Sequence, residues 1–157
     1  MTPSIIVRFA EPGEESLVYA LMRAGFAQSA VYPNPSSALS ETLEEVREKL
    51  GTGGAILAFE HCRPAGSGRF RVTENGGFLT YERLAVLPAL RHRGIGSAMV
   101  AFLEEHARAL GLHEIRADSR SQQPDNRTFY LAHGYEITGY AERYGIADMR
   151  THMAKTL

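Results

Sequence analysis

The chain has 157 residues, of which 44% are hydrophobic and 22% charged, and its 17 basic and 18 acidic side chains leave a formal charge of -1. This is about one domain's length with ordinary globular composition, and the near-neutral balance gives no bulk attraction to nucleic acid or membranes. A single cysteine, Cys62, excludes an internal disulfide and fits a reducing compartment. With no basic-then-apolar signal pattern and no run of about 18 apolar residues, a cytoplasmic protein without membrane spans is expected.

Ile5-Ile6-Val7-Arg8-Phe9 is β-branched and apolar, the pattern of a strand, and Pro12-Gly13 ends it. Glu14 to about Ala27 reads as a helix with Leu17, Leu21 and Ala24 on one face and acids in the first turn. Val31 to Ser36, with two prolines and an asparagine, is a loop, and Pro33-Asn34-Pro35 has the character of a lid. A second helix is expected from an N-cap at Ser37, through Leu39, Leu43, Val46 and Leu50, to a stop at Gly51.

Ala55–Glu60 reads as a strand, followed by a turn around Arg63-Pro64 and a second strand near Gly68 to Val72. Asn75-Gly76 is a hairpin signal. The strand after it, Phe78 to Leu87, is the longest and ends at Pro88, completing an antiparallel meander. The apolar positions Ile95, Ala98, Met99, Phe102, Leu103, Ala107 and Leu110 then predict a helix over 95–110, stopped by Gly111. Leu112–Ser119 is a strand, Pro124-Asp125-Asn126 opens a short helix ending at Gly134, and Tyr135–Tyr140 and Ala147–Thr156 close as a strand pair. The order β-α-α-β-β-β-α-β-α-β-β is α+β with a mixed sheet in a single domain over 1–157, and the strand–helix–strand unit at 78–119 should have its two strands parallel.

Arg91-His92-Arg93-Gly94-Ile95-Gly96 lies between a strand and the long helix. A helix start offers unpaired N–H groups and positive potential, a combination that binds phosphate. Gly94 and Gly96 let the backbone approach a ligand, Ser97 adds a hydroxyl, and Arg91 and Arg93 add charge. No Gly-Lys-Ser/Thr follows, and a third glycine is missing, so neither a Walker loop nor a dinucleotide fingerprint is present.

The run Leu84-Ala85-Val86-Leu87-Pro88 through Arg91-His92-Arg93-Gly94-Ile95-Gly96-Ser97-Ala98-Met99 resembles the signature of the GNAT superfamily of N-acetyltransferases. That signature is Gln/Arg-x-x-Gly-x-Gly/Ala, matched at Arg91, Gly94 and Gly96. Phe129-Tyr130-Leu131-Ala132-His133-Gly134-Tyr135 resembles the family's second element, with Asn126 upstream. The resemblance covers essentially the whole chain and implies a GNAT-like acyl-CoA N-acyltransferase fold.

It further implies acetyl-CoA as cosubstrate, no metal, and direct transfer to a primary amine in a ternary complex. Arg91, His92, Arg93, Gly94, Ile95, Gly96 and Ser97 would hold the coenzyme's pyrophosphate. The backbone of Leu84, Ala85 and Val86 would pair with the pantetheine arm, and an N–H near Val86 would polarise the thioester carbonyl. Asn126 and Arg127 are further coenzyme candidates. Tyr130 would act as general acid toward the leaving thiolate, against the alternative of a packing residue. Glu82 would act as base toward the acceptor ammonium, sharing a strand face with Leu84 and Val86; the alternative is a glutamate ion-paired with Arg83 or Arg71.

The acceptor side implied by the family includes Tyr32, Glu41, Glu44, Glu45, Tyr140 and Tyr144. Through Glu60 the chain has eight acids and four bases, an excess that favours a cationic amine. A small-molecule amine is the expected acceptor, ahead of a protein N-terminus, with no nucleic-acid or membrane partner; a homodimer is left open. Cys62 beside His61 has no orienting third group and is set aside as a nucleophile, and the six histidines show no metal-ligand spacing. A non-catalytic acyl-CoA-sensing domain of the same fold, and a nucleotide-binding module of another, stay open as alternatives.

Overall fold

The computed structural model describes residues 4–31, 35–120, 124–143 and 146–157. Seven strands, β1 (Ile5–Phe9), β2 (Gly54–Glu60), β3 (Arg63–Thr73), β4 (Phe78–Val86), β5 (Glu114–Arg120), β6 (Glu136–Arg143) and β7 (Ile146–Thr156), form a mixed sheet in the order β1-β2-β3-β4-β5-β7-β6. Four α-helices accompany them: α1 (Glu15–Phe26), α2 (Leu43–Thr52), α3 (Ile95–Ala109) and α4 (Pro124–Ala132). The expected element order holds throughout. By contact, the chain divides into two compact units, Met1–Arg71 with Tyr81–Glu105, and Val72–Thr80 with His106–Leu157.

In the first unit β1 and β2 are antiparallel, as are β2 and β3. The turn between β2 and β3 falls at His61 and Cys62, with φ of 50° and 66°, rather than at Arg63-Pro64. Two successive left-handed residues give the primed hairpin twist that matches flanking strands, so β3 starts early and is 11 residues long. α1 packs Val18, Leu21 and Met22 into a core with Ala38, Val46, Ala55 and Leu57. Each such large apolar side chain contributes about 1.5–3 kcal/mol on full burial. Gly25 lets α1 ride close on β4: a Cβ there would lie 2.5 Å from Ala85 Cβ.

The expected second helix is two pieces. Ser37–Leu39 is a single 3-10 turn capped by Ser36, whose Oγ accepts the Ala38 N–H at 3.2 Å. α2 starts only after Thr42, whose Oγ1 accepts the Glu45 N–H at 3.2 Å. A capped residue at 42 restarts the helix, because its side chain satisfies an amide that has no earlier carbonyl partner. α3 buries Ile95, Met99, Val100, Leu103 and Ala107, whereas Leu110 lies past the helix end and is half exposed.

In the second unit β4 and β5 pair in parallel at Phe78–Thr80 with Glu114–Arg116. β7 runs antiparallel along β5, and β6 along β7. Gly111 and Gly134 stop α3 and α4 as expected, at φ of 75° and 88°. Leu112 N–H closes on the Ala107 carbonyl and Tyr135 N–H on the Tyr130 carbonyl, each at 3.0 Å. This left-handed glycine with a six-to-one bond satisfies the last carbonyls of each helix. Among the described residues, no helix is long and apolar enough to cross a membrane.

Candidate active site

One group of candidate residues lies at the start of α3, in the first unit. His92 and Gly94 both adopt left-handed φ, 63° and 88°. Left-handed residues alternating along a turn curl the backbone so that successive amides face a common concavity. The first intrahelical bond runs from Ala98 N–H to the Gly94 carbonyl at 3.0 Å. The Ile95 and Gly96 amides therefore precede the helical ladder and have no acceptor within the helix. At position 94 glycine is required by the φ value and not by crowding, since a Cβ there would meet nothing within 4 Å.

The two arginines of this loop are engaged by the protein itself. Arg91 donates to the Gly25 carbonyl at 2.7 Å and to the Val86 carbonyl at 3.3 Å. It thereby ties the end of α1 to the end of β4. Arg93 is half exposed and donates to Glu60 at 2.8 Å, a carboxylate that is 2% exposed. Leu84, Ala85 and Val86 end β4, with Ala85 buried.

Glu82 does not share a face with Leu84. Arg83 sits at φ 55° inside β4, which breaks the two-residue alternation. As a result Glu82 and Arg83, adjacent in sequence, both reach one ion cluster: Glu82 Oε1 accepts from Arg69 at 3.2 Å, and Arg83 donates to Glu41 at 3.2 Å and to Ser37 Oγ at 2.7 Å. Leu84 goes the other way, against Gly68. Gly68 and Arg69 are neighbours on β3 and face opposite sides of the sheet. The partner of Glu82 is thus Arg69, not Arg83 or Arg71.

Arg69 is 3% exposed and grips Glu41 through both terminal nitrogens. Burial pushes the Glu41 carboxyl up, but the hydrogen bond and charge of Arg69, with Arg83 and Lys49, outweigh it and leave the group below the usual carboxylate value. Burial also holds Arg83 below the ordinary guanidinium value. Of the acids from Glu41 to Glu45 only Glu41 is withdrawn into the protein; Glu44 and Glu45 are exposed. Glu41 is enclosed by two arginines, and Glu44 pairs with Arg47 at 3.6 Å. Tyr32, Tyr144 and Pro33-Asn34 lie outside the described residues; Tyr140 is exposed.

A separate group of candidate residues lies in the second unit. Tyr130, on α4, is buried. Burial raises its phenol well above the usual value, and the charge of Asp118 adds to that. The side chain is thus a phenol, able to donate a hydrogen bond, at any ordinary pH. Asn126 is exposed on α4, and Arg127 donates to Thr151 Oγ1 at 3.2 Å. Cys62 is exposed at its turn. Sequence reasoning did not find Arg69, Glu60 or the pairing of His152 with Asp118; only long-range pairing brings these groups to their partners.

A glycine-containing left-handed loop opening α3 and a seven-stranded mixed sheet with parallel β4 and β5 are the features expected of an acyl-CoA N-acyltransferase fold. Residues 19–135 match the Acetyltransferase (GNAT) family, and the chain belongs to it as an acetyltransferase. An aminoalkylphosphonate N-acetyltransferase of Salmonella typhimurium is 28% identical over 137 residues, covering 86% of this chain and 79% of that one. An uncharacterised N-acetyltransferase of Bacillus subtilis, YjcF, is 29% identical over 99 residues, 63% of this chain and 67% of that one. Among solved structures, the PaiA N-acetyltransferase of Thermoplasma acidophilum, in complex with coenzyme A, superposes with a TM-score of 0.80 at 16% identity, covering 98% of this chain and 99% of that one.

Proposed function

We propose that the protein transfers an acetyl group from acetyl-CoA to the primary amine of a small molecule, directly in a ternary complex and without a metal. The observation that carries this reading is the left-handed loop at His92 and Gly94, which leaves the Ile95 and Gly96 amides open at the helix start. Those amides, with His92, Arg93 and Ser97, would hold the pyrophosphate, and Arg91 would brace the loop from behind. Asn126 and Arg127 would add contacts from α4. Leu84, Ala85 and Val86 would pair with pantetheine, and the Val86 N–H would polarise the thioester carbonyl. The family match runs across both compact units, which supports reading them as one acetyltransferase domain.

Tyr130 would stabilise the departing thiolate. Its raised pKa suits a hydrogen-bond donor better than full proton transfer, because a phenol that holds its proton so firmly yields it reluctantly. Glu82, half exposed beside Arg69, would meet the incoming ammonium as base or as counter-charge. Enclosure of Glu41 by Arg69 and Arg83 takes one acid from the acceptor side, while Glu44 and Glu45 stay exposed; the reading requires only a primary amine. Incubation with acetyl-CoA and a panel of amines, following thiol release, tests it. Release that depends on an amine supports transfer; coenzyme binding without turnover on any amine supports a sensing domain instead.

A further inference from the structure

Arg69 lies on the sheet face that α1 covers. Its Nη1 is 4.0 Å from Met22 Sδ, and Ser67, on the same strand, donates from Oγ to the Val18 carbonyl at 3.2 Å. Alternate residues of a strand share a face, so both side chains point at α1. Less than one turn farther on, the same helix reaches the end of β4. A Cβ on Gly25 would stand 2.5 Å from Ala85 Cβ and 3.5 Å from the Val86 nitrogen. The step from Met22 to Gly25 is a rise of about 4.5 Å. The Arg69 cluster and the amide proposed to polarise the thioester therefore lie along one helix, within the first unit.

Glu82 is the member of the cluster that solvent reaches most. Its side chain is 44% exposed, against 4% for both Arg69 and Glu41. Oε1 accepts from Arg69 Nη2 at 3.2 Å, and among the described residues Oε2 accepts no hydrogen bond. The Arg69 guanidinium is itself held. Both terminal nitrogens donate to Glu41, and Nη2 is shared, at 3.3 Å to Glu41 Oε2 and 3.2 Å to Glu82 Oε1. Glu41 is fixed in turn by Arg83, which also donates to Ser37 Oγ at 2.7 Å. A guanidinium is a planar fork with set donor directions, so one that is buried and doubly bonded offers its remaining contact at a fixed point. A half-exposed glutamate otherwise samples many rotamers. Here one oxygen is pinned and the other is left to meet a cation.

We infer that Arg69 is the positioning residue for Glu82: it fixes the carboxylate that meets the acceptor ammonium and does not touch the acceptor itself. The inference rests on the acetyl-transfer reading above and on the place of Glu82 in it. Glu41 and Arg83 serve the same end at one remove, by fixing Arg69. A carboxylate ordered in advance does not have to be ordered when the acceptor binds, and that difference appears as acceptor affinity.

Steady-state kinetics with acetyl-CoA and the best acceptor from a panel of simple amines, ethanolamine and benzylamine among them, test it. The proteins are wild type, Glu82→Gln, Arg69→Lys, the double change Arg69→Met with Glu41→Leu, and that double change with Glu82→Gln added. Lysine keeps a buried cation for Glu41 but has no fork to reach both carboxylates. The double change removes Arg69 together with the carboxylate it neutralises, which spares the fold an uncompensated Glu41. Glu82→Gln should lower acceptor kcat/KM about 10- to 100-fold, the worth of a hydrogen bond between charged groups. Arg69→Lys and the double change should each raise acceptor KM about 3- to 10-fold, the cost of ordering one free side chain on binding, with coenzyme A affinity within about twofold of wild type. Adding Glu82→Gln to the double change should cost nothing beyond Glu82→Gln alone, because nothing is then left for Arg69 to position. A wild-type acceptor KM in Arg69→Lys and the double change, or losses that multiply, would make Arg69 a structural residue only and leave the acetyl-transfer reading standing. Unchanged kinetics in Glu82→Gln would remove the carboxylate from acceptor binding and this inference with it. If wild type turns over no amine, the acetyl-transfer reading fails first and takes the inference with it.

Discussion

Glu60 and Arg93 join the end of β2 to the loop that opens α3: the carboxylate is almost wholly buried, and the arginine that reaches it at 2.8 Å is half exposed. The pair orders the loop and, in doing so, sets a negative charge beside the proposed phosphate site. Arg93→Gln is expected to weaken coenzyme A binding about 5- to 10-fold, the size of one charge-assisted hydrogen bond, and to flatten its salt dependence. Glu60→Gln removes the opposing charge and is expected to hold or tighten affinity. Calorimetric titrations at two salt concentrations check both; a Glu60→Gln protein that binds tenfold more weakly would contradict the electrostatic part of this account.

Arg69, Glu41 and Arg83 form a buried charge cluster, so removing one member leaves another uncompensated. Arg69→Met is expected to destabilise the protein by about 3–5 kcal/mol, and the double change Arg69→Met with Glu41→Leu to recover a good part of that loss. Urea unfolding of the single and double variants measures it. Equal losses in the two would show that the pairing contributes little.

The fold was legible in the sequence wherever periodicity and turn residues mark it. β1, α1, α3 and the glycines that end α3 and α4 emerged within a residue or two. The departures have local causes that composition does not display. Histidine and cysteine in left-handed conformation make the β2–β3 turn, and Thr42 splits the expected second helix. Arg83, left-handed within a strand, reverses the face of Glu82, which period-two reasoning places beside Leu84. The loop proposed to hold phosphate could be picked out because its residues, Arg91 to Gly96, are contiguous. The partners of Glu82 and His152 were not, because Arg69 and Asp118 lie 13 and 34 residues away in sequence.

Tyr130→Phe keeps the ring packing and removes the hydroxyl. Turnover is expected to fall about 10- to 100-fold, the worth of a hydrogen bond to a charged group, with coenzyme A affinity unchanged within about twofold. Steady-state kinetics alongside a binding titration separates the two effects. A kcat within twofold of wild type would remove Tyr130 from the chemistry and leave it a packing residue against Phe129 and Tyr135.

Acid should weaken the first unit through Glu14 and Glu41. The Arg8 hydrogen bonds hold Glu14 at about 2, and Glu41 is also held below its ordinary value. A lowered folded-state value means the stabilisation is complete above the unfolded carboxylate value, about 4.3, and is lost as pH falls toward the folded one. Stability should therefore drop between about pH 4.5 and pH 2, and less steeply in Glu14→Gln. Chemical denaturation at several pH values gives the slopes; identical slopes would rule out Glu14 as a contributor.

The amides at the start of α3 are the foundation of the functional reading, and calorimetric titration of coenzyme A into wild type and Gly96→Glu reaches them most directly. The expected result is saturable one-to-one binding by wild type and a loss of at least about tenfold in the variant, where a carboxylate intrudes on the diphosphate. No saturable binding by wild type, or unchanged affinity in Gly96→Glu, would contradict the account.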